Sequence, residues 1–236
     1  MKLSVLIPVY NEEASLREVI DRVLATPFEK EVIIVDDAST DATPKLLEEI
    51  AAEHPEIEVR THEENRGKGA ALRTALESFS GDVVLIQDAD LEYDPGDYPA
   101  LLRPIEDGVA DVVYGSRFLG GRYARVHLFH HYLGNRFLTL ISNLVTNLNL
   151  TDMETCYKVF RADVARRLDL RSKTFAVEPE ITCKVARMRA RIYEVPILYA
   201  GRDYAAGKKI RPRDGVWAIL ALIRWGVFGR ASDLRD

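Results

Sequence analysis

Apolar runs alternate with helix-spaced stretches through the first half of the chain, and this alternation constrains the fold more than any other feature. The runs are Lys2–Val9, Val32–Val35, Ile57–Thr61 and Val83–Gln87. Val32–Val35 is apolar without a break, as in a strand buried on both faces. Between the runs, Glu12–Leu24 places Ala14, Leu16, Val19, Ile20, Val23 and Leu24 at helical spacing. Asp41–Ala52 reads as a second helix that Thr40 or Asp41 can cap, and the Ala/Leu-rich Gly67–Phe79 as a third. A βαβαβαβ order predicts an α/β fold: a mostly parallel, Rossmann-like sheet with helices on both faces. Pro8 is expected to end the pairing of the first strand.

After Asp111–Tyr114 the pattern changes. Phe129–Leu148 predicts a long helix with Leu133, Phe137, Leu140, Ile141, Leu144 and Val145 on a broad apolar face. Cys156–Phe160 resembles a strand, Asp163–Leu168 a short helix, Glu178–Ala190 a helix and Ile192–Tyr199 a strand. Gly201–Asp214 is a basic loop, and Gly215–Phe228 a final apolar helix. At 236 residues, 47% apolar and 29% charged, one core can serve the whole chain. The expected organisation is therefore one domain at 1–214 with an apolar helix and tail at 215–236. Cys156 and Cys183 make no disulfide framework and no C-x-x-C zinc pattern. The N-terminus lacks a signal-peptide core. The longest unbroken apolar run, Val216–Ile223, falls far short of the roughly 20 residues that span a bilayer. Neither a secreted nor an integral membrane protein is expected.

The formal net charge of −5 conceals a split. Residues 1–111 hold 26 acids and 10 bases, a net −16, whereas residues 112–236 hold 11 acids and 22 bases, a net +11. No acidic side chain lies between Asp111 and Asp152. An acidic half and a basic half predict two kinds of partner, a cation for one and an anion for the other. The acidic half would also repel a nucleic-acid backbone, so nucleic acid is not expected as a partner.

Ligands of such sheets bind beyond the carboxyl ends of the strands, and here those ends are polar. Asp88-Ala89-Asp90-Leu91-Glu92 leaves a buried strand. In extended backbone its three carboxylates project to one side and repel unless a cation sits between them. Hard oxygens of this kind suit Mg²⁺ or Mn²⁺, against the plain alternative of a solvated acidic turn before Pro95. Asp36-Asp37 ends the second strand, where a carboxylate can accept from ribose hydroxyls or a base N–H. Asn65-Arg66-Gly67-Lys68-Gly69 opens a helix and offers backbone N–H groups and two cations to a diphosphate. It is no Walker sequence, and the G-x-G-x-x-G of dinucleotide folds is missing after the first strand.

These blocks, together with Val5-Leu6-Ile7-Pro8-Val9-Tyr10-Asn11-Glu12, resemble a family 2 glycosyltransferase of the GT-A fold. Gly115-Ser116-Arg117-Phe118, Thr151-Asp152-Met153-Glu154-Thr155-Cys156-Tyr157-Lys158 and Gly207-Lys208-Lys209-Ile210 are similar to the branch that makes dolichyl- or polyprenyl-phosphate mannose and glucose. The resemblance runs from Lys2 to about Asp214. It implies that Pro8, Tyr10, Glu12 and Asp37 line the nucleoside pocket, and that Lys68, Asp88, Arg202 and Lys208 also hold the nucleotide sugar. It implies a metal on Asp88 and Asp90, with Glu92 standing where relatives often carry Gln. Arg117, Arg122, Arg125 and Lys209 would meet the acceptor phosphate, and Asp152 with Arg117 would flank the reacting centre.

The implied activity is metal-dependent, inverting transfer of mannose or glucose from a GDP- or UDP-sugar to a polyprenyl phosphate. Its place would be the cytoplasmic face of a membrane, with the chain bound peripherally. A membrane-embedded subunit or a second copy would be the further partner. A phosphate monoester is already anionic near neutral pH, so Asp152 is expected chiefly to orient rather than to act as base. Arg136 and His127, His130 and His131 in the acid-free stretch fit a helix at a membrane surface, and also a helix packed on the sheet. Two rival readings keep parts of the site: a family 2 enzyme with a soluble or glycan acceptor, and a nucleotide-binding module without turnover.

Overall fold

The structure is a computed structural model, and it describes residues 1–120, 128–201 and 212–235. The first half runs β1 (Leu3–Val9), α1 (Leu16–Leu24), β2 (Lys30–Asp36), α2 (Thr43–Glu53), β3 (Ile57–Thr61), α3 (Lys68–Ala75) and β4 (Val83–Ile86). The second runs α4 (Tyr98–Glu106), β5 (Val112–Ser116), α5 (Phe129–Thr146), β6 (Lys158–Arg161), α6 (Ala162–Arg166), α7 (Val177–Arg187), β7 (Ile192–Pro196) and α8 (Pro212–Ala221). Seven strands form one sheet in the order β3-β2-β1-β4-β6-β5-β7. β1 pairs in parallel with β2 and β4, β2 with β3, and β5 with β7.

The mostly parallel sheet is thus present, but β6 runs antiparallel between β4 and β5. The expected strand at Cys156–Phe160 carried no sign of that direction. Because it runs antiparallel, β6 begins beside the carboxyl ends of β4 and β5. Residues 151–157, which precede β6, consequently lie at the end of the sheet where β1, β2 and β4 also finish.

Two local expectations are corrected, and one helix is added. Pro8 does not end β1: it pairs in register with Val35 and the strand continues to Val9. The Leu6 carbonyl accepts from Gln87 N and the Val9 carbonyl from Asp37 N, so alternate residues face β4 and β2. Pro8 therefore turns its missing N–H toward β4 beyond the end of that strand, where no ladder bond is lost. Next, α1 starts at Leu16 because residues 12–15 form a turn, with the Ser15 hydroxyl 2.8 Å from both Glu12 Oε2 and the Ala89 carbonyl, its single proton serving one of the two. The added helix is α4, which Pro95 just before it and Pro99 and Pro104 within it hide in the sequence. Pro99 sits in its first turn, where no N–H is needed, and Pro104 in its last.

The apolar face expected for α5 is split: Ile141 packs against the core and Val145 lies against Gly226, but the rest is turned outward. Thr139 and Ser142 are buried, while Leu133, Phe137, Leu140 and Leu144 are exposed, Leu144 by 76%. The final helix is present but breaks into a π-helical segment at Leu222–Val227. Leu222 and Trp225 join the main core, and Gly226 lies so close to Val145 that a Cβ there would collide. Among the described residues no helix is long and apolar enough to cross a membrane.

Candidate active site

The loops after β1 and β2 are sewn together at the carboxyl edge. Asn11 N donates to Ser39 Oγ at 2.9 Å, and Thr40 N to Asn11 Oδ1 at 2.7 Å. Glu12 N donates to Thr43 Oγ1 at 3.0 Å. Each of the loops after β1, β2 and β4 carries one non-glycine residue in the left-handed region: Asn11 (φ 52°), Ala38 (φ 60°) and Leu91 (φ 60°). That conformation costs an L-residue roughly 1–2 kcal/mol, and Asn tolerates it best. Tyr10 stands 38% exposed at this edge, while Glu12 is buried.

Asp37 is buried at the end of β2 and anchors the basic loop. Its carboxylate accepts from Arg66 N at 2.9 Å and Gly67 N at 2.6 Å, and it meets His62 Nδ1 at 2.6 Å. The other ring nitrogen of His62 lies 2.9 Å from Thr74 Oγ1 on α3. From the far side, Gly69 N donates to the Lys173 carbonyl at 2.9 Å. A Cβ on Gly67 would strike Lys173 O, and one on Gly69 would strike Ser172 O.

Lys68 then points inward as a largely covered cation. Its Nζ lies 2.8 Å from Asp88 Oδ1 and 3.0 Å from Glu178 Oε1. Glu178, in the first turn of α7, also pairs with the fully buried Lys158 of β6. Burial opposes the charge on Lys68, but Asp88, Cys156 and Glu178 outweigh it and hold the pKa well above the ordinary lysine value. Asp88 is aimed by Gln87, a buried side chain whose Oε1 accepts from both Tyr98 and Tyr157 at 2.8 Å and whose Nε2 donates to the Asp88 carbonyl.

The acidic run is not extended. It bends at 89–92, with Leu91 left-handed, Asp90 Oδ1 accepting from Glu92 N, and Tyr199 donating to Glu92 Oε2 at 2.6 Å. The expected convergence of Asp88, Asp90 and Glu92 on one side is therefore corrected: among the described residues no three such side chains gather around one point. Two carboxylates still fit a hard divalent cation, since Mg²⁺ is commonly held by one or two carboxylates with substrate phosphates supplying further oxygens. Asp88 already has a cationic group against it, so this strand end is built to carry positive charge.

On the other flank, Arg117 leaves the end of β5 and meets Asp152 with both prongs, Nε to Oδ2 at 2.6 Å and Nη2 to Oδ1 at 2.7 Å. Arg117 N also donates to Oδ2. Asp152 is fully buried, and its own loop is fixed by Glu194 of β7, which accepts from Thr151 N and Asp152 N. Arg117 stacks over the Tyr199 ring at 5.0 Å. Burial alone would lower its pKa, but Asp152 leads the groups that hold it well above the ordinary value. Tyr199 links the two flanks, because its hydroxyl bonds Glu92 and the Glu92 carbonyl accepts from Ala200 N.

Residues 4–169 match the family Glycosyl transferase family 2, which is well over half of the chain. The chain is a family 2 glycosyltransferase. It is 32% identical to the undecaprenyl-phosphate mannosyltransferase of Micrococcus luteus, over all of this chain and 98% of that protein. It is 28% identical to the polyprenol monophosphomannose synthase of Mycolicibacterium smegmatis, over 98% of this chain and 89% of that one. The fold is shared with glucosyl-3-phosphoglycerate synthase of Mycobacterium tuberculosis, solved with Mn²⁺ and UDP. That match has a TM-score of 0.71 at 23% identity, over 94% of this chain and 77% of the other.

In this glycosyltransferase Pro8, Tyr10, Glu12, Asp37, Lys68, Asp88 and Asp90 come to one edge of the sheet, and Arg117 and Asp152 pair beside it. Arg122, Arg125, Arg202, Lys208, Lys209 and His127 lie outside the described residues. Sequence reasoning missed Glu178, Glu194, Tyr199 and the side chain of Glu154. Glu178 and Glu194 stood in segments read only as helix and strand, and no local spacing ties them to a site.

Proposed function

We propose that this glycosyltransferase moves a hexose, mannose or glucose, from a GDP- or UDP-sugar to a polyprenyl phosphate at the cytoplasmic face of a membrane. The observation that carries this reading is the link from Arg117 through Tyr199 to Glu92. It sets an anion-binding arginine beside the acidic strand end. The named relatives, which carry undecaprenyl phosphate and polyprenol monophosphomannose in their names, support the lipid phosphate.

On this reading Pro8, Tyr10 and Glu12 flank the nucleoside. Asp37, whose two oxygens are already taken by His62, Arg66 N and Gly67 N, acts through the Arg66–Gly69 loop that it anchors rather than on the base directly. Asp88 and Asp90 would hold Mg²⁺ or Mn²⁺, which when bound neutralises charge on the departing diphosphate. Lys68 faces that same diphosphate. Glu92, held by Tyr199, sits beside the pair and ties the donor end to the acceptor end. Arg202, Lys208 and Lys209 follow directly from the segment anchored on Glu92 and supply cations to the phosphates, joined from the acceptor side by Arg122 and Arg125.

Two anions must approach one another, and Arg117 is the group that draws in the acceptor phosphate. Asp152 orients Arg117, since both of its oxygens are engaged by that side chain. An acceptor phosphate oxygen forms a bond to the anomeric carbon while the bond from that carbon to the diphosphate oxygen breaks, its electrons leaving with the nucleoside diphosphate. One displacement turns an α-linked donor into a β-linked product.

Incubation with labelled UDP- and GDP-sugars, Mg²⁺ or Mn²⁺ and polyprenyl phosphate should carry label into the organic phase, and NMR should find the β anomer. An α product would defeat the single displacement. Label that reaches only a sugar acceptor would favour the soluble-acceptor enzyme, and no transfer to any acceptor the binding module.

A further inference from the structure

Among the described residues, the cations between the two flanks are paired, and one carboxyl oxygen among the acids is left over. Lys68 is held by Asp88 and Glu178, Lys158 by Glu178, and Arg117 by Asp152. Glu154 lies on the same loop, two residues after Asp152 and four before Lys158, and its Oε1 is buried without a hydrogen-bond partner. The groups that act on its charge come from both sides: Glu178 and Lys158 from the donor flank, Arg117 and Asp152 from the acceptor flank. Burial, then Glu178, pushes its carboxyl up to about 7. A buried acceptor left unpaired weakens a fold, so stability does not account for it.

We propose that Glu154 is a specificity-determining residue whose buried carboxyl oxygen accepts a hydroxyl of the hexose under transfer. The inference rests on the glycosyl-transfer reading and adds the part of the substrate that neither flank addresses. A carboxylate is a poor neighbour for phosphate, which excludes the diphosphate and the acceptor phosphate as its ligand. A sugar hydroxyl suits it, because it can donate to the carboxylate and can bond the protonated acid as well. What lies between a departing diphosphate and an attacking phosphate is the sugar. A site built to bond one hydroxyl also rejects an analogue that lacks it.

The test titrates the full chain with UDP, UDP-glucose, GDP and GDP-mannose by calorimetry in the presence of Mn²⁺. For the base that the wild type accepts, Glu154→Met should leave the diphosphate affinity within about twofold and weaken the nucleotide sugar about tenfold or more, the loss of one hydrogen bond to a charged group. Glu154→Gln, which keeps the size and the acceptor oxygen, should lose less, and it carries the comparison if Glu154→Met does not fold. Thermal melts give a second reading. A carboxyl raised from 4.5 to about 7 in the fold destabilises the protein as pH rises through that window. At pH 8 both variants should therefore melt at or above the wild-type temperature. Equal weakening of diphosphate and nucleotide sugar, no weakening of either, or a lower melting temperature at pH 8 would overturn the assignment. A wild type that binds the diphosphates but gains nothing from the sugar overturns it too. A wild type that binds none of the four removes the glycosyl-transfer reading itself, and this inference with it.

Discussion

Asp152 and Arg117 are 35 residues apart in sequence and share three hydrogen bonds, two of them through the guanidinium fork. A fully buried carboxylate is tolerable only while such a partner stays, and removing one member leaves the other charge uncompensated. Lysine at position 117 would keep the charge but lose the planar fork. Arg117→Lys should therefore raise the KM for the lipid phosphate or lower kcat by roughly ten- to a hundredfold, with nucleotide-sugar binding close to wild type. Steady-state kinetics with each substrate varied in turn would check this, and an equal loss of donor binding would count against an acceptor role. Both residues stood out as charges in the sequence, but their pairing did not, because nothing local joins a strand end to a loop so far along the chain. Ala38 and Leu91 were equally silent. Neither residue type announces a left-handed backbone, whereas Asn11 does.

The strands of the first half were legible because their apolar runs are short, β-branched and bounded by polar strand ends. The acidic ends of β2 and β4 and the glycines before α3 were legible for the same reason. α4 was not, since three prolines hide a helix whose buried residues are Tyr98, Leu101 and Leu102. The direction of β6 was also hidden, because a strand of four residues reads the same both ways. The start of α3 has a steric requirement that two glycines meet, with Gly67 at φ 89° and Gly69 against the Ser172 carbonyl. Gly69→Ala should destabilise the protein by about 1–3 kcal/mol, the usual cost of overpacking against fixed backbone. Urea unfolding would measure it. A variant as stable as the wild type would mean that the 171–174 loop gives way more easily than its hydrogen bonds indicate.

Across the whole molecule, the apolar surface left open by α5 meets that of the C-terminal helices, which pack against α5 and α7. Leu133, Phe137, Trp217 and Phe228 are all more than half exposed, and α5 contains no acidic residue. If the chain acts on a lipid phosphate as proposed, such a surface would suit the interfacial zone of a bilayer. Co-sedimentation with anionic vesicles should pellet the wild type, and Leu133→Asp with Trp217→Asp should leave the chain in the supernatant with its melting temperature unchanged. Binding that survives both substitutions would show that this face does not hold the chain to the membrane.

The stitching of residues 92–97 to residues 197–200 carries a consequence for the order of synthesis. Glu92 is tied to Tyr199 and Ala200, Asp97 to Leu198, Asp152 to Glu194, and Lys68 to Glu178. A chain emerging from the ribosome has the strands of the donor half early, and its N-terminal part is the first to fold. Neither flank of the site is finished until the chain has been made past residue 199. A truncated product would therefore carry the acidic strand ends without the residues that aim them, and catalytic competence arrives with the last stretch of polypeptide rather than with the first folded half.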